Sequence, residues 1–388
     1  MNLYDVRSLF PLISESNVVY FASCSHGPLS KPVKQALLDY IESWGMRGMD
    51  WDYWMTKYEE LRAEAASLLR ASVDEIAIVQ NVSSGLATVA SALKYGGERS
   101  KILLSDLNFP TVGHVWSAQR RHGVTVEIIK SVNWRINLQD IEKRVDDRTL
   151  AVSEPHVCYQ SGFTYESLRE LAEIAHGHDA LLIVDDAQST GVIDIDVKKE
   201  DVDMLVTTTS KYLLGGAGLG ILYVRRDLIE ELEPVLTGWF SRENPFTFNI
   251  HDFNYARSAR RFETGTPSVP AVLTAIEGIK LLRRIGIKDI EKHVRSLVSY
   301  ATERGQELGL DVLSPVNPES IGPMFVFKTS DSIEISRKLL ERGIVVSPRG
   351  SAVRVSMHMF NTRDEVDRLL DVLKDITVSL DQHEVRRI

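Results

Sequence analysis

"DMLVTTTSKYLLGG" (203–216) runs an apolar segment directly into small hydroxyl residues, a single lysine and two glycines. Asp203 to Val206 read as a short buried strand, so Lys211 follows a strand end. The ordinary reading of a lysine there is a surface cation. Its flanks argue otherwise, because small residues and glycine let a ligand approach the backbone closely. A lysine partly shielded from water has a lowered pKa and becomes a usable amine nucleophile. Schiff-base chemistry requires that property.

Working outward, short apolar runs recur through the first two-thirds of the chain. "EIAIVQ" (75–80), "KILLS" (101–105), "TVEIIK" (125–130), "LAVSEP" (150–155), "LLIVDD" (181–186), "DMLVTT" (203–208) and "GILYVR" (220–225) are strand candidates. Segments of helical period lie between several of them, as at Leu168, Leu171, Ala172 and Ala175. Continuous apolar strands alternating with helices predict an α/β fold with a mainly parallel, doubly wound sheet covered on both faces. In such sheets ligands bind outside the C-terminal strand ends. From about Pro267 the texture changes to two long amphipathic helices, "PMFVFKT", a helix through Ile335 to Leu340, "GIVVSP", "AVRVSM" and a terminal helix bearing Val366, Leu369, Leu370, Leu373 and Ile376 on one face. That mixture predicts a smaller α+β domain. The expected division is a large domain over 18–262 and a small one built from 1–17 and 263–388.

Composition narrows the function. The 388 residues suit two domains at roughly 100–200 residues each. A net charge of −9 without clustered Lys and Arg disfavours a nucleic-acid partner. Two cysteines, Cys24 and Cys158, exclude a disulfide framework and point to an intracellular, cytoplasmic protein. No signal peptide is read at "MNLYDVRSLF", and no run reaches the ~18 apolar residues of a membrane span. "HGH" (176–178) lacks a second cluster and reads as a helix end, so no metal site is expected. "GGAGLG" (215–220) precedes a strand where a dinucleotide fingerprint needs a helix, so that reading fails. "WGMRGMDWDYW" (44–54) is read as packing or dimer contact, with a lid as the alternative.

Two further segments converge on Lys211. In "IVDDAQSTG" (183–191), Asp185 ends an apolar strand. A loop carboxylate or helix cap is the common reading. The functional one is a carboxylate that holds a protonated ring nitrogen, which pyridoxal 5'-phosphate (PLP) needs to act as an electron sink. Gln188, three residues on, could reach a neighbouring ring oxygen. In "QNVSSGLATVASAL" (80–93), a strand ends and a helix begins at Ser83, Ser84 and Gly85. Hydroxyls and free N–H groups at a helix start form an anion site, although a plain cap would look the same. Phosphate cup, ring-nitrogen acid and amine, in that order at strand ends, are the layout of a fold-type I PLP enzyme.

The chain resembles the class V aminotransferase family, which includes cysteine desulfurases, kynureninases and isopenicillin N epimerase-like proteins. "VYFASCSHGPLS" (19–30), "VDDAQSTG", "SKYLLGGAGLGILYV", "RRFETGTPSVPA" and "VRVSMHMFNTRDEVDRL" are similar to family motifs in order. The resemblance implies that Lys211 carries PLP as a Schiff base, that Asp185 pairs with the pyridine nitrogen, and that Gln188 bonds the ring hydroxyl. It implies a phosphate site made by Ser83, Ser84, Thr208 and Ser210. Thr266 matches a residue that in relatives reaches the phosphate across a dimer interface, so a homodimer with shared sites is expected. Arg354 matches the arginine that clamps the α-carboxylate of an amino-acid substrate, a task suited to a bidentate guanidinium. Phe109 takes the ring-stacking position. Trp239 resembles a kynureninase tryptophan that contacts phosphate, with interface packing as the alternative.

Departures from family patterns shape the expected reaction. The region "IVVSPRGSAVRVS" holds no cysteine where desulfurases carry their sulfur acceptor, which disfavours a persulfide mechanism. Ser210 stands where kynureninases have a tyrosine, and Tyr159 where desulfurases have an asparagine. The expectation is therefore transamination or epimerisation at Cα. Elimination at Cβ without a protein persulfide and kynureninase-like hydrolysis are the alternatives within the family. A catalytically silent PLP-fold binding protein is the alternative from another class.

Overall fold

The computed structural model of the chain describes residues 3–251 and 253–385. Strand β1 (Val19–Tyr20) is followed by seven strands that form one sheet. These are β2 (Ile76–Val79), β3 (Lys101–Ser105), β4 (Thr125–Ile129), β5 (Thr149–Pro155), β6 (Leu181–Asp185), β7 (Met204–Thr208) and β8 (Gly220–Val224). Their order across the sheet is β2-β8-β7-β6-β5-β3-β4. All seven expected strands form. The sheet is mainly parallel, and β8 is the exception, antiparallel to both of its neighbours.

The sheet is covered on both faces, as its apolar strands require. Leu182 and Val184 of β6 pack into one core layer while Ile183 packs into the other. Leu205 of β7 and its neighbours Met204 and Val206 divide in the same way. This period-two alternation, apolar in both directions, distinguishes a sheet buried on two sides from one that faces water.

The remaining strands are β9 (Asp311–Val312), β10 (Met324–Lys328), β11 (Ile344–Val345), β12 (Ser347–Arg349) and β13 (Ala352–Ser356). Four of them make an antiparallel sheet in the order β12-β13-β10-β9. β1 pairs in parallel with β11, so the start of the chain is tied to its last third. The helix Val269–Ile285 packs against the helices Lys31–Arg47 and Trp51–Leu69, and Ile287–Glu307 follows it after Gly286. "HGH" ends the helix Leu168–His176, where His176 Nε2 contacts the Asp203 carboxylate at 2.8 Å. "GGAGLG" leads into β8. Among the described residues, no helix is long and apolar enough to cross a membrane.

Candidate active site

Lys211 stands in the turn after β7 and is only partly open to solvent. The turn is fixed from several sides. Gly215 N–H donates to the Thr209 carbonyl at 2.8 Å, and Gly216 N–H donates to Thr274 Oγ1 at 2.9 Å. Gly27 N–H donates to the Ser210 carbonyl at 2.8 Å, and a Cβ at Gly27 would lie 2.6 Å from the Lys211 carbonyl oxygen. His358 donates from Nε2 to the Tyr212 carbonyl at 3.0 Å, its Nδ1 being occupied by the Met359 N–H. Burial holds His358 neutral, with its pKa lowered to about 4. These contacts answer why small residues surround the lysine, because neighbouring backbones press directly against its loop.

Lys211 opens onto a cavity of about 180 Å³ at the C-terminal ends of the parallel strands. Seven of the sequence-predicted residues line it together: Ser83, Phe109, Asp185, Gln188, Thr208, Ser210 and Lys211. Asp185 ends β6, and its turn is anchored by Asp186. The Asp186 carboxylate meets His156 Nδ1 at 2.7 Å and accepts from the Ser189 and Thr190 hydroxyls. Asp185 itself accepts the Ala187 N–H at 3.1 Å.

The electrostatics of the pair are opposed. Burial pushes the Asp185 carboxyl above the ordinary range, and the Lys211 charge and the Ala187 N–H pull it part of the way back. Burial lowers the Lys211 amine, Asp185 and Cys24 raise it, and the Arg354 and Arg349 charges lower it further. A carboxyl destabilised by burial favours a cation opposite it, and an amine depressed by burial loses its proton, and so becomes nucleophilic, at lower pH than a free lysine.

Hydroxyls gather at the other end of the cavity. Ser83 Oγ lies 3.0 Å from Thr111 Oγ1, and Thr208 Oγ1 lies 3.4 Å from Ser210 Oγ. The helix Val82–Ala92 starts here, and the first N–H groups of a helix have no acceptor within it. Phe109 is 40 % exposed and meets the Tyr159 ring edge-on at 5.1 Å. Gln188 donates to the Cys24 carbonyl at 3.2 Å, leaving its buried Oε1 without a protein partner. The cavity therefore offers a cation-seeking carboxyl, an unpartnered amide oxygen, an apolar ring wall and an anion-favouring cluster. These fit the ring nitrogen, ring substituents, ring face and phosphate of PLP.

Arg354, on β13, is 1 % exposed. Its guanidinium donates to the Tyr159 carbonyl at 3.0 Å, Ser25 Oγ at 3.2 Å and Ser347 Oγ at 2.7 Å. Its Nε has no partner, and no carboxylate pairs with it among the described residues. A buried cation held only by neutral oxygens is arranged to receive an anion.

Three expected residues lie elsewhere. Ser84 is spent on capping: its N–H donates to Asn81 Oδ1 at 2.8 Å, and its hydroxyl exchanges bonds with the Asn81 backbone. It borders a neighbouring cavity of about 210 Å³, together with Thr266 and Thr237. Trp239 packs in an aromatic cluster with Trp51, Phe240, Phe246 and Phe248. Sequence reasoning missed Asn81, Thr111, Ser25 and Ser347. The last two carry no local signal, because their relation to Arg354 exists only after folding. Cys158 is buried and its thiol is pushed up by burial, as expected of a packed cysteine. Cys24, distant in sequence, is also buried and lies within electrostatic reach of Lys211.

Comparison with known proteins gives a consistent answer. A family model described as aminotransferase class V matches residues 20–369. An uncharacterized aminotransferase of Bacillus subtilis, YcbU, is 36% identical, over 96% of this chain and 97% of its own length. A probable cysteine desulfurase of Pyrococcus abyssi is 29% identical, over 97% of this chain and 98% of its own. The solved apo structure of a cysteine desulfurase from Thermococcus onnurineus superposes with a TM-score of 0.85 at 26% identity, covering 96% of this chain and 97% of that one.

Proposed function

The chain belongs to the class V aminotransferase family and is a fold-type I, PLP-dependent enzyme, and from that premise we propose that it acts at Cα of an amino acid, with transamination as the principal outcome and epimerisation as the variant. The observation that carries this reading is the single cavity in which Lys211, Asp185, Gln188, Phe109 and the hydroxyl cluster converge beside the unneutralised Arg354.

Bound PLP supplies an electron sink for the pair released at Cα. Lys211 would hold it covalently, Asp185 would face its ring nitrogen, and Gln188 would face its ring hydroxyl. Phe109 would cover the ring. Ser83, Thr208 and Ser210 would receive the phosphate at the helix N-terminus, with Ser84 supporting them through the cap. Arg354 binds the substrate α-carboxylate and so fixes which Cα bond stands in line for cleavage. The Lys211 Nζ, its pKa depressed by burial, takes the Cα proton and returns it. Return of the proton to the cofactor carbon would give transamination, whereas epimerisation would need a proton delivered to Cα from the face opposite Lys211, because return from the same face restores the starting enantiomer.

We read the protein as a homodimer. Exposed apolar side chains at Trp44, Met46, Met49, Phe246, Phe248 and Ile250 form the kind of surface a second copy covers. Thr266 would then serve the site of the other protomer, and Trp239, held in its aromatic cluster, would pack at the interface. Elimination at Cβ is the alternative that the desulfurase relatives support, and the cysteine-free segment 344–356 counts only against a form of it that passes sulfur to a protein thiol.

The test is an amino-acid panel with the PLP-loaded protein, assaying keto-acid formation with an acceptor keto acid, racemised product, pyruvate with ammonia, and sulfide. Lys211→Ala should lose both the visible absorbance of bound PLP and turnover. An unchanged spectrum in that variant refutes the role of the lysine.

A further inference from the structure

Arg354 is not the only cation beside the cavity. Arg349 also acts on Lys211 and on Tyr159 through its charge. It is exposed, and among the described residues its guanidinium makes no hydrogen bond and no ion pair with a carboxylate. It lines a polar cleft of about 910 Å³ that adjoins the Lys211 cavity where Tyr159 borders the cavity and Gln160 the cleft.

Strand register fixes how the two arginines relate. Ser347 pairs with Arg354, and Arg349 pairs with Ala352. Residues directly opposite, and residues two apart along a strand, share one face, so Arg349, Ser347, Arg354 and Ala352 share a face. Two residues of strand advance about 7 Å. The exposed guanidinium is therefore rooted about 7 Å along the sheet from the buried one.

The other charges of the cleft compensate one another. Across the same sheet Ala352 pairs with Lys328, and Lys328 pairs with Asp311, so that cation has a carboxylate directly opposite. The facing wall contributes one of each sign, Arg135 and Asp106. Three cations stand against two carboxylates, and of the three Arg349 is the one whose charge acts on Lys211 and Tyr159.

We infer that Arg349 is a specificity-determining residue, reading a carboxylate or other anion at the end of the substrate side chain, so that the enzyme selects α-amino acids of the glutamate type. The two arginines make a pair of anion receptors: one buried for the α-carboxylate, the other at the cleft for the distal group. The roughly one-dicarboxylate spacing of their roots suits this division. A neutral side chain would leave Arg349 to water alone. This inference rests on the proposed amino-acid chemistry at Lys211.

The test uses 2-methylglutamate and its neutral isostere 2-methylglutamine, which lack the Cα hydrogen and so report binding alone. Each is titrated into the PLP-loaded protein by calorimetry, with the parent, Arg349→Gln and Arg349→Lys. The expected result is about 10- to 100-fold preference for the charged analogue in the parent. The ratio falls to near one in Arg349→Gln and is partly restored in Arg349→Lys. Equal affinity for both analogues in the parent overturns this inference and leaves the amino-acid reading intact. A charge preference that survives in Arg349→Gln also overturns it. Binding of neither analogue, with PLP retained, removes the amino-acid reading and this inference with it.

Discussion

Replacing Arg354 by methionine should move stability and binding in opposite directions. The side chain is 1 % exposed, and its three hydrogen bonds all go to uncharged oxygens. Its Nε is unmatched. Before substrate arrives, the protein carries a desolvated charge without a counter-ion, which costs several kcal/mol. Methionine fills a similar volume without that cost. The Ser25 and Ser347 hydroxyls still bond one another at 2.7 Å, so the Tyr159 carbonyl is the main acceptor left bare. Against that loss of about 1 kcal/mol, the net gain should be about 1–2 kcal/mol, or roughly 1–2.5 °C in melting midpoint for a chain of 388 residues. Binding should fall, because removing one partner of a buried charged contact costs about 2–5 kcal/mol, a factor of about 30 to 5,000 in affinity. A third readout concerns Lys211. Burial is the main cause of its low pKa and the Arg354 charge adds to it, so the lysine should titrate at higher pH in the variant. Differential scanning calorimetry, titration of the PLP-loaded protein with a 2-methyl amino acid, and the pH dependence of Lys211 modification by an amine-reactive reagent in the PLP-free protein measure the three effects. A variant that melts lower than the parent and binds amino acids as well would refute the view of Arg354 as a waiting carboxylate receptor.

Two other residues give checks of different kinds. Glu154, on β5, accepts from Ser105 at 2.6 Å and Tyr165 at 2.8 Å, and burial raises its pKa to about 7. The folded form holds a proton that the unfolded chain releases near pH 4.5, so stability falls as pH rises from about 4.5 to 7. Glu154→Gln removes that dependence, and its stability relative to the parent should improve by up to about 3 kcal/mol between pH 5 and 8, followed by denaturant unfolding. A constant difference across that range would mean the carboxyl does not titrate there. Gly27→Ala sets a methyl 2.6 Å from the Lys211 carbonyl oxygen and 2.9 Å from Leu214 Cδ2. It should cost about 1–3 kcal/mol and weaken PLP binding, and parental values for melting and PLP titration would show that this segment does not brace the loop.

The parallel strands are legible in the sequence because each is a continuous apolar run bounded by polar residues. The direction of β8 is not, since a buried strand has the same pattern either way. Asp185 and Lys211 are legible because chemistry-bearing residues follow such runs directly. Ser83 and Ser84 are adjacent and look equivalent, yet a helical residue turns about 100° from its neighbour. The Asn81 cap takes Ser84, and Ser83 is left facing the cavity. The surroundings of Arg354 are the least legible part. Ser25 lies 329 residues away along the chain, and no local pattern connects them.

That long-range closure has a consequence for how the enzyme is made. Cys24 N–H bonds Ser356 Oγ, Ser25 receives Arg354, and the Lys211 turn is pinned by both Gly27 and His358. A ribosome delivers the first of these partners more than 300 residues before the last. Lys211 is therefore synthesised well before its enclosure can be finished. Completion of the Lys211 chamber is late in synthesis, and truncation anywhere ahead of residue 358 should leave a sheet without a working pocket.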